Sequence, residues 1–335
     1  MNTSFNRVLS AALLAVSLTV SAPSAEVRAQ DAVRIGTSSV GSTFYIVAVG
    51  MSEMLRKHAS INATVEPLGG STANINGLGA EKIDLAVANA GASYDGLHGN
   101  KPFKAPVKVS LIAQGQPSMR FLLVRRDAGI KAPGDLVGKP FIAKRRALPE
   151  LEIVANALVD VYGLPKANMR YIETVETGQV TDALRSGSAV AAVFPGGLYM
   201  APVQEMFRDN VIDFLYLPND KFDALMSKLP KYFYKAKVPA NNFANQPREI
   251  WAPTLNTYLV VRDNVSADTV YKITKAVMGN YKEFAAYHAD AKEWTIDNTL
   301  SEPKIAFHPG AVRYYKEVGA WKDSHDKIQA GLLKK

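Results

Sequence analysis

The chain contains 335 residues, none of them cysteine, and carries a formal net charge of +8 at pH 7. Without cysteine it forms neither a disulfide framework nor a thiolate metal site. The basic excess is mild and scattered among acidic residues, and no nucleic-acid-binding module accompanies it, so we expect no nucleic-acid partner. A length above roughly 250–300 residues exceeds what one hydrophobic core usually organises, which predicts two α/β lobes.

The first 29 residues have the layout of a secretory signal peptide. Arg7 precedes an uncharged run from Val8 to Val20, and small residues and a proline follow the run. This run is shorter than the roughly 20 apolar residues that span a bilayer. We therefore expect cleavage after Ala29 and export of the mature protein to the periplasm.

The first predicted unit is a strand over residues 32–35, a loop of Gly, Ser and Thr, and a helix over residues 45–57. The loop follows the carboxyl end of the strand, where its hydroxyl groups and the free N–H groups of the helix suit a small anion. An ordinary N-capped turn explains the segment equally well. The candidate ligand-binding residues here are Ser38, Ser39, Ser42, Thr43, Phe44 and Tyr45.

A second unit of similar design follows, with a strand over residues 63–66, a Gly-Gly-Ser-Thr loop, a helix over residues 73–79 and a strand over residues 83–87. In open α/β sheets, small ligands lie outside the carboxyl ends of the strands. We therefore add Ser71, Asn74 and Asn89 to the candidate ligand-binding residues.

Two long apolar segments are predicted to cross between the lobes and to form a hinge. One runs through residues 119–124 and the other through residues 255–261. They place lobe 1 at residues 30–120 plus 256–335, and lobe 2 at residues 121–255. Two lobes joined in this way close on a ligand and shield it from water.

The segment GGSTANINGLGAEKIDLAVANAGASY, residues 69–94, resembles a motif of the TAXI substrate-binding proteins of TRAP (tripartite ATP-independent periplasmic) transporters. GTSSVGSTFY at residues 36–45 and HPGAVRYYKEVG at residues 308–319 resemble that family's opening and closing motifs. The segments at residues 183–197 and 238–261 agree with it in the same order. The resemblance therefore covers essentially the whole mature chain.

The resemblance implies a two-lobed, type II-like periplasmic binding protein fold, in which two open α/β sheets are joined by a two-crossing hinge. It also implies capture of a small organic anion, which is a carboxylate, a dicarboxylate or an acidic amino acid. The implied partners are the small and large permease subunits, separate or fused. The alternatives are a receptor serving a sensor or an ATP-driven importer, and an enzyme built on the same fold.

The second lobe departs from the family at the turn after its first strand. Where the family carries a Gly/Ser-rich anion loop, this chain has Lys144, Arg145 and Arg146. If Arg145 or Arg146 reaches the cleft, a bidentate grip favours a doubly charged ligand. A solvated basic turn balanced by Glu150 and Glu152 is an equal alternative.

Three further candidate ligand-binding residues come from the predicted hinge and from the second lobe. Arg120 opens a crossing segment and either pairs with a ligand carboxylate or forms a structural ion pair. Pro195 and Gly196 belong to a turn that allows close approach of the backbone to the ligand.

No pattern of enzyme chemistry is present. The five histidines, at positions 58, 98, 288, 308 and 325, are far apart and show no metal-ligand spacing, and no nucleophile elbow occurs. We expect no enzyme activity, no cofactor and no metal site.

Overall fold

A computed structural model describes residues 32–334, and the predicted signal peptide lies outside these described residues. Within them the chain forms a mixed α/β fold around one open sheet. The expected α/β fold with crossing strands is therefore confirmed. Between residues 32 and 334, no helix has the length and apolar character that crossing a bilayer requires.

The elements alternate along the chain much as the sequence predicts. Up to the first crossing strand they are β1 (Ala32–Thr37), α1 (Thr43–Ala59), β2 (Asn62–Pro67), α2 (Ser71–Gly79), β3 (Leu85–Asn89), α3 (Ala90–His98) and β4 (Val109–Arg125). The next group is β5 (Pro140–Lys144), α4 (Glu150–Val161), β6 (Arg170–Glu173), α5 (Thr177–Ser186), β7 (Ala191–Gly196), α6 (Ala201–Arg208), β8 (Ile212–Phe214), α7 (Asn219–Ser227) and β9 (Tyr234–Val238). The last group is β10 (Ile250–Arg262), α8 (Ala267–Met278), α9 (Tyr281–Phe284), α10 (Ile296–Leu300), α11 (Pro309–Glu317) and α12 (Asp323–Leu333), with a 3-10 turn at Ala289–Glu293.

The strands lie in the order β2-β1-β3-β10-β4-β7-β5-β6, while β8 pairs with β4 and β9 with β10. The outer strands pair in parallel on both sides, β1 with β2 and β3, and β5 with β6 and β7. The long central strands β4 and β10 run antiparallel to each other and to their outer neighbours. The carboxyl ends of the parallel strands on the two sides therefore converge on the middle of β4 and β10.

The crossing strands unite the two predicted sheets into one. β4 and β10 pair along most of their length, from Met119 with Thr254 to Val109 with Arg262. The register shifts between Asn256 and Tyr258, opposite Pro117, which cannot donate a backbone hydrogen bond to the ladder. The irregular segment of β4 thus lies midway along the shared sheet.

The buried side chains fall into separate clusters on the two sides of this segment. One cluster draws on residues 33–113 and 258–321, and two others draw on residues 119–255. We refer to the parts of the molecule around them as the first half and the second half. Both halves contribute loops to the cleft between them.

Candidate ligand-binding site

A small cavity lies where the two halves meet at the middle of β4. It holds about 40 Å³ of space for water-sized molecules, enough for a few waters. Its lining comes from loops of both halves and from β4: Ser38, Ser42, Thr43, Phe44, Ser71, Gln116, Pro117, Ser118, Arg120, Leu148, Thr177, Pro195, Gly196, Gly197 and Met200. Eight of the predicted site residues are in this set.

The first loop caps α1 and presents one free hydroxyl to the cavity. Ser42 is the N-cap, and its Oγ accepts the Tyr45 N–H at 3.2 Å. Gly41 makes the turn possible because it adopts φ of +80°. Thr43 Oγ1 is buried and faces the Asp290 carboxyl group, but it makes no hydrogen bond of ordinary geometry within residues 32–334. Of the loop hydroxyls, Thr43 is thus a group that a ligand could satisfy.

Arg120 projects from the centre of β4 and forms a buried ion pair. Its side chain is 1% exposed, and Nη2 lies 2.6 Å from Oε1 of Glu150, which begins α4. Nη1 donates to the Ser118 hydroxyl at 2.9 Å and to two backbone carbonyls. Arg120 therefore forms the structural ion pair that the sequence left as one alternative. It also lines the cavity, and its pairing with a ligand carboxylate stays a prediction.

Gln116 is a lining residue that the sequence argument missed. Its Oε1 accepts the indole N–H of Trp294 at 2.5 Å, which fixes the orientation of the amide. Trp294 reaches Gln116 because Gly115 leaves room for the ring, and a Cβ at Gly115 would lie 2.0 Å from the indole. The Gln116 amide N–H₂ therefore faces away from Trp294 as a free donor.

Three polar atoms around this cavity are buried and unpaired. They are Thr43 Oγ1, Gln116 Nε2 and Arg120 Nε, each without a partner among the described residues. Buried polar groups normally find a partner, because an unpaired one costs about 1–3 kcal/mol. Two of these three atoms are N–H donors and the third is a hydroxyl. The set matches the oxygen atoms of a small anion.

Arg145 lies outside the cavity lining and connects the two halves. Nη2 donates to the Ser39 hydroxyl at 2.6 Å and to the Gly69 carbonyl at 2.8 Å, and Nη1 donates to the Thr177 hydroxyl at 3.2 Å. Burial lowers the pKa of Arg145 to about 10, although Glu150 and Glu176 raise it, so the guanidinium keeps its charge at neutral pH. The expected grip on the ligand is thus not formed in this arrangement.

The structure does not bring Arg146, Tyr45 or Asn74 to the cavity. Arg146 is exposed, and Tyr45 is half-buried outside the lining set. Asn74 is buried beneath the sheet edge, where its Nδ2 donates to the Val87 carbonyl at 2.9 Å. Whether such a residue reaches the cavity depends on the direction of its side chain, and the spacing of strands and helices in the sequence does not predict that direction.

Ser71 and Asn89 hold the floor of the cavity in place. The Ser71 hydroxyl lines the cavity and accepts the Asn89 N–H at 3.0 Å. Asn89 caps α3 through the Ala92 N–H and donates Nδ2 to Glu150 Oε1 at 3.0 Å. Asn89 therefore acts on the site through Glu150, which also holds Arg120.

Asp290 is a buried carboxyl group behind the lining residues Thr43 and Gly197. A Cβ at Gly197 would lie 3.2 Å from Asp290 Oδ2. Burial raises the pKa of Asp290 to about 6, while the facing Thr43 hydroxyl lowers it and Glu293 raises it. His288 accepts the Asp290 N–H on Nδ1, and burial lowers the pKa of His288. His288 is therefore mostly uncharged at neutral pH and gives the ionised Asp290 carboxylate little electrostatic stabilisation.

Comparison of the sequence with protein-family models assigns this chain to a family. The model of the NMT1-like family matches residues 35–319, which include every residue that lines the cavity. This chain belongs to the NMT1-like family.

Solved structures with a similar fold include MatC (Rpa3494) from Rhodopseudomonas palustris with bound malate. It is 12% identical, has a TM-score of 0.56, and the match covers 88% of this chain and 99% of MatC. The alkanesulfonate-binding protein SsuA from Xanthomonas axonopodis pv. citri, bound to MOPS, is 12% identical with a TM-score of 0.48, over 89% of this chain and 82% of that one. At these identities the similarity concerns the fold.

Several lining residues of this NMT1-like chain carry little signal in the sequence. Gln116 and Ser118 are polar residues within the otherwise largely apolar strand β4, just before the predicted crossing segment at residues 119–124, and this polarity was the available sign of a site. Thr177, Leu148 and Met200 stand in turns or at helix starts with no motif around them. Within residues 32–334, no group of three or more His, Cys, Asp or Glu side chains could hold a metal ion.

Proposed function

We propose that this protein is a periplasmic receptor that captures a small organic anion between its two halves and delivers it to a TRAP-type permease. The observation that carries the proposal is the set of unpaired polar atoms at one cavity: Thr43 Oγ1, Gln116 Nε2 and Arg120 Nε. A carboxylate satisfies such donors with charge-assisted hydrogen bonds, which are stronger than neutral ones.

The two arginines near the cavity support a carboxylate, and Asp290 behind Thr43 opposes it when ionised. Glu150 compensates Arg120, and Arg145 adds a positive charge close to the cavity. Phe44, Leu148 and Met200 line the remaining wall and suit a short apolar part of the ligand. MatC, which has a similar fold, is bound to malate, a dicarboxylate. This is consistent with the proposed class of ligand.

The proposed lobes are residues 30–120 plus 256–335 and residues 121–255. The separate core clusters on the two sides of β4 and β10 support this division. The TAXI subtype, the TRAP permease and the periplasmic location rest on the resemblance of the motifs at residues 36–45, 69–94 and 308–319 and on the predicted signal peptide.

A thermal-shift screen of the mature protein against mono- and dicarboxylates, acidic amino acids and sulfonates tests the proposal. A ligand at 100 times its Kd should add about 2.7 kcal/mol to the free energy of unfolding. Thr43→Val should weaken binding of the best anion by about 1–3 kcal/mol in calorimetry, because one of its hydrogen bonds is lost.

Thr257→Val is the matched control for Thr43→Val. The Thr257 hydroxyl is also buried and without a partner in the described part of the chain, but it does not line the cavity. Both variants should keep the stability of the ligand-free protein, and only Thr43→Val should lose affinity. If neither variant changes the affinity, the anion does not bind at this cavity.

A further inference from the structure

Arg145 belongs to the second half, yet two of its hydrogen bonds go to the first half. The Ser39 hydroxyl follows β1 and the Gly69 carbonyl follows β2, and both accept from Nη2. Thr177, at the start of α5 in the second half, accepts from Nη1. One guanidinium group thus joins three loops across the cleft.

A backbone contact reinforces the same junction. The Thr72 N–H donates to the Ala147 carbonyl at 3.1 Å, two residues along the chain from Arg145. Gly70 permits this approach, because a Cβ there would lie 2.8 Å from the Ala147 oxygen. The turn that carries Arg145 therefore docks on the loop between β2 and α2.

Arg145 is buried where the two halves meet. Its side chain is 2% exposed, and both terminal nitrogens already donate to protein oxygens. A ligand could not take these donors without parting the two halves. When the halves separate, Arg145 regains water but loses the charge-assisted bonds to Ser39 and Gly69.

We propose that Arg145 is the positioning residue that holds the two halves closed over the cavity. The inference rests on the proposed function, since closure matters for binding only if the cavity is the ligand site. Arg145 raises affinity for every ligand that fits, because it stabilises the closed form in which the donors meet. Its loss should speed dissociation by about 10- to 100-fold, and equally for mono- and dicarboxylates.

The absence of cysteine makes the closed form measurable in solution. Val40 and Val175 are each 67% exposed, and they lie in loops on opposite sides of the Arg145 junction. Val40→Cys and Val175→Cys would carry nitroxide labels for a distance measurement on the ligand-free mature protein. We expect a short distance in the parent and a longer one after Arg145→Ala.

Arg146→Ala is the matched control, since this neighbouring arginine is exposed. It should leave the distance unchanged, whereas Arg145→Lys should restore part of the closed population. Ser39→Ala removes one partner without touching Arg145 and should give an intermediate effect. Melting temperatures identify any variant that fails to fold, and Ser39→Ala then provides the test.

The proposal is overturned if Arg145→Ala leaves the distance at the parent value, or if the parent is already as open as the variant. Loss of dicarboxylate binding with monocarboxylate binding retained would also overturn it, because that result indicates a direct grip on the ligand. If the distances change as expected but no anion binds, the proposed function fails while the role of Arg145 stands.

Discussion

The buried carboxyl group of Asp290, behind the cavity, makes the stability of the folded protein depend on pH. Burial raises its pKa to about 6, well above the usual value for an aspartate. The folded protein therefore holds this proton more tightly than the unfolded chain does. The resulting stabilisation is fully present below about pH 4 and is lost as the pH rises through 6.

Asp290→Asn should accordingly stabilise the protein at neutral and alkaline pH. The expected gain at about pH 7.5 is roughly 1–3 kcal/mol in the free energy of unfolding, with little change at about pH 4. Loss of the negative charge beside Thr43 and Gly197 should also tighten anion binding at the higher pH. Urea denaturation and calorimetry at the two pH values measure both effects.

Asp182→Asn provides the comparison, because Asp182 is exposed in the middle of α5. It should change stability by less than about 0.5 kcal/mol at either pH. A destabilised Asp290→Asn protein at the higher pH would contradict the raised pKa. It would mean that the folded protein in solution stabilises the ionised form of the Asp290 carboxyl group.

The sequence predicted which types of residue line the cavity better than it predicted which way individual side chains point. Ser38, Ser42, Thr43 and Ser71 line the cavity because hydroxyl residues at strand ends and helix starts face the cleft between the halves. Arg145 and Arg146 are neighbours in one turn, yet one is buried and the other exposed. Backbone direction within a turn separates them, and the pattern of residue types does not encode it.

At the scale of elements, Glu150 connects one helix to two strands. It begins α4, and its Oε1 accepts from Arg120 of β4 and from Asn89 at the end of β3. This carboxylate also stands in the first turn of α4, where a negative charge is favourable. The position of Arg120 in the cavity thus depends on where α4 begins.

Glu150→Gln should destabilise the protein by about 3–5 kcal/mol, because it leaves the Arg120 charge buried without a partner. Urea denaturation at neutral pH measures the loss. Glu152→Gln changes the same kind of group in the same turn, but its carboxylate is 41% exposed and pairs with the half-exposed Lys144. We expect a loss of no more than about 1 kcal/mol there.

Equal losses in the two variants would indicate that the effect comes from the helix terminus and not from the buried pair. The existence of α4 itself was predictable from its apolar spacing, whereas the pairing of Glu150 with Arg120 was not. One of the two alternatives from the sequence had Glu150 balance the basic turn, but Glu150 lies 2.6 Å from an arginine 30 residues earlier. Such long-range pairings depend on how the elements pack.

At the scale of the molecule, the two crossing strands were predicted but their union into one sheet was not. Pro117 marks the irregular point of β4, two residues before the predicted crossing segment at residues 119–124 begins. The ladder continues because β10 shifts its register around the proline. The halves are therefore joined by a continuous sheet, and their loops meet across the cleft.

A second contact across the cleft involves Tyr232 of the second half. Its hydroxyl donates to Asp95 of α3 at 2.9 Å, and its ring packs on Gly91. A Cβ at Gly91 would lie 2.8 Å from the ring, closer than packed atoms allow. The halves approach this closely because position 91 carries no side chain.

Gly91→Ala should therefore hold the two halves apart. An alanine in the first turn of α3 favours the helix itself by about 0.5–1 kcal/mol, so the free energy of unfolding should not fall. Small-angle scattering should show a larger radius of gyration, and calorimetry should show anion affinity reduced about tenfold or more, which corresponds to at least about 1.4 kcal/mol.

Gly178→Ala makes the same change at the same position of α5, where a Cβ would meet no atom within 4 Å. It should leave both the radius of gyration and the affinity unchanged. A Gly91→Ala protein that melts at a lower temperature while keeping its radius of gyration would contradict the argument. Tyr232 would then be a fixed part of the folded core, and closure of the halves would not depend on its contact with α3.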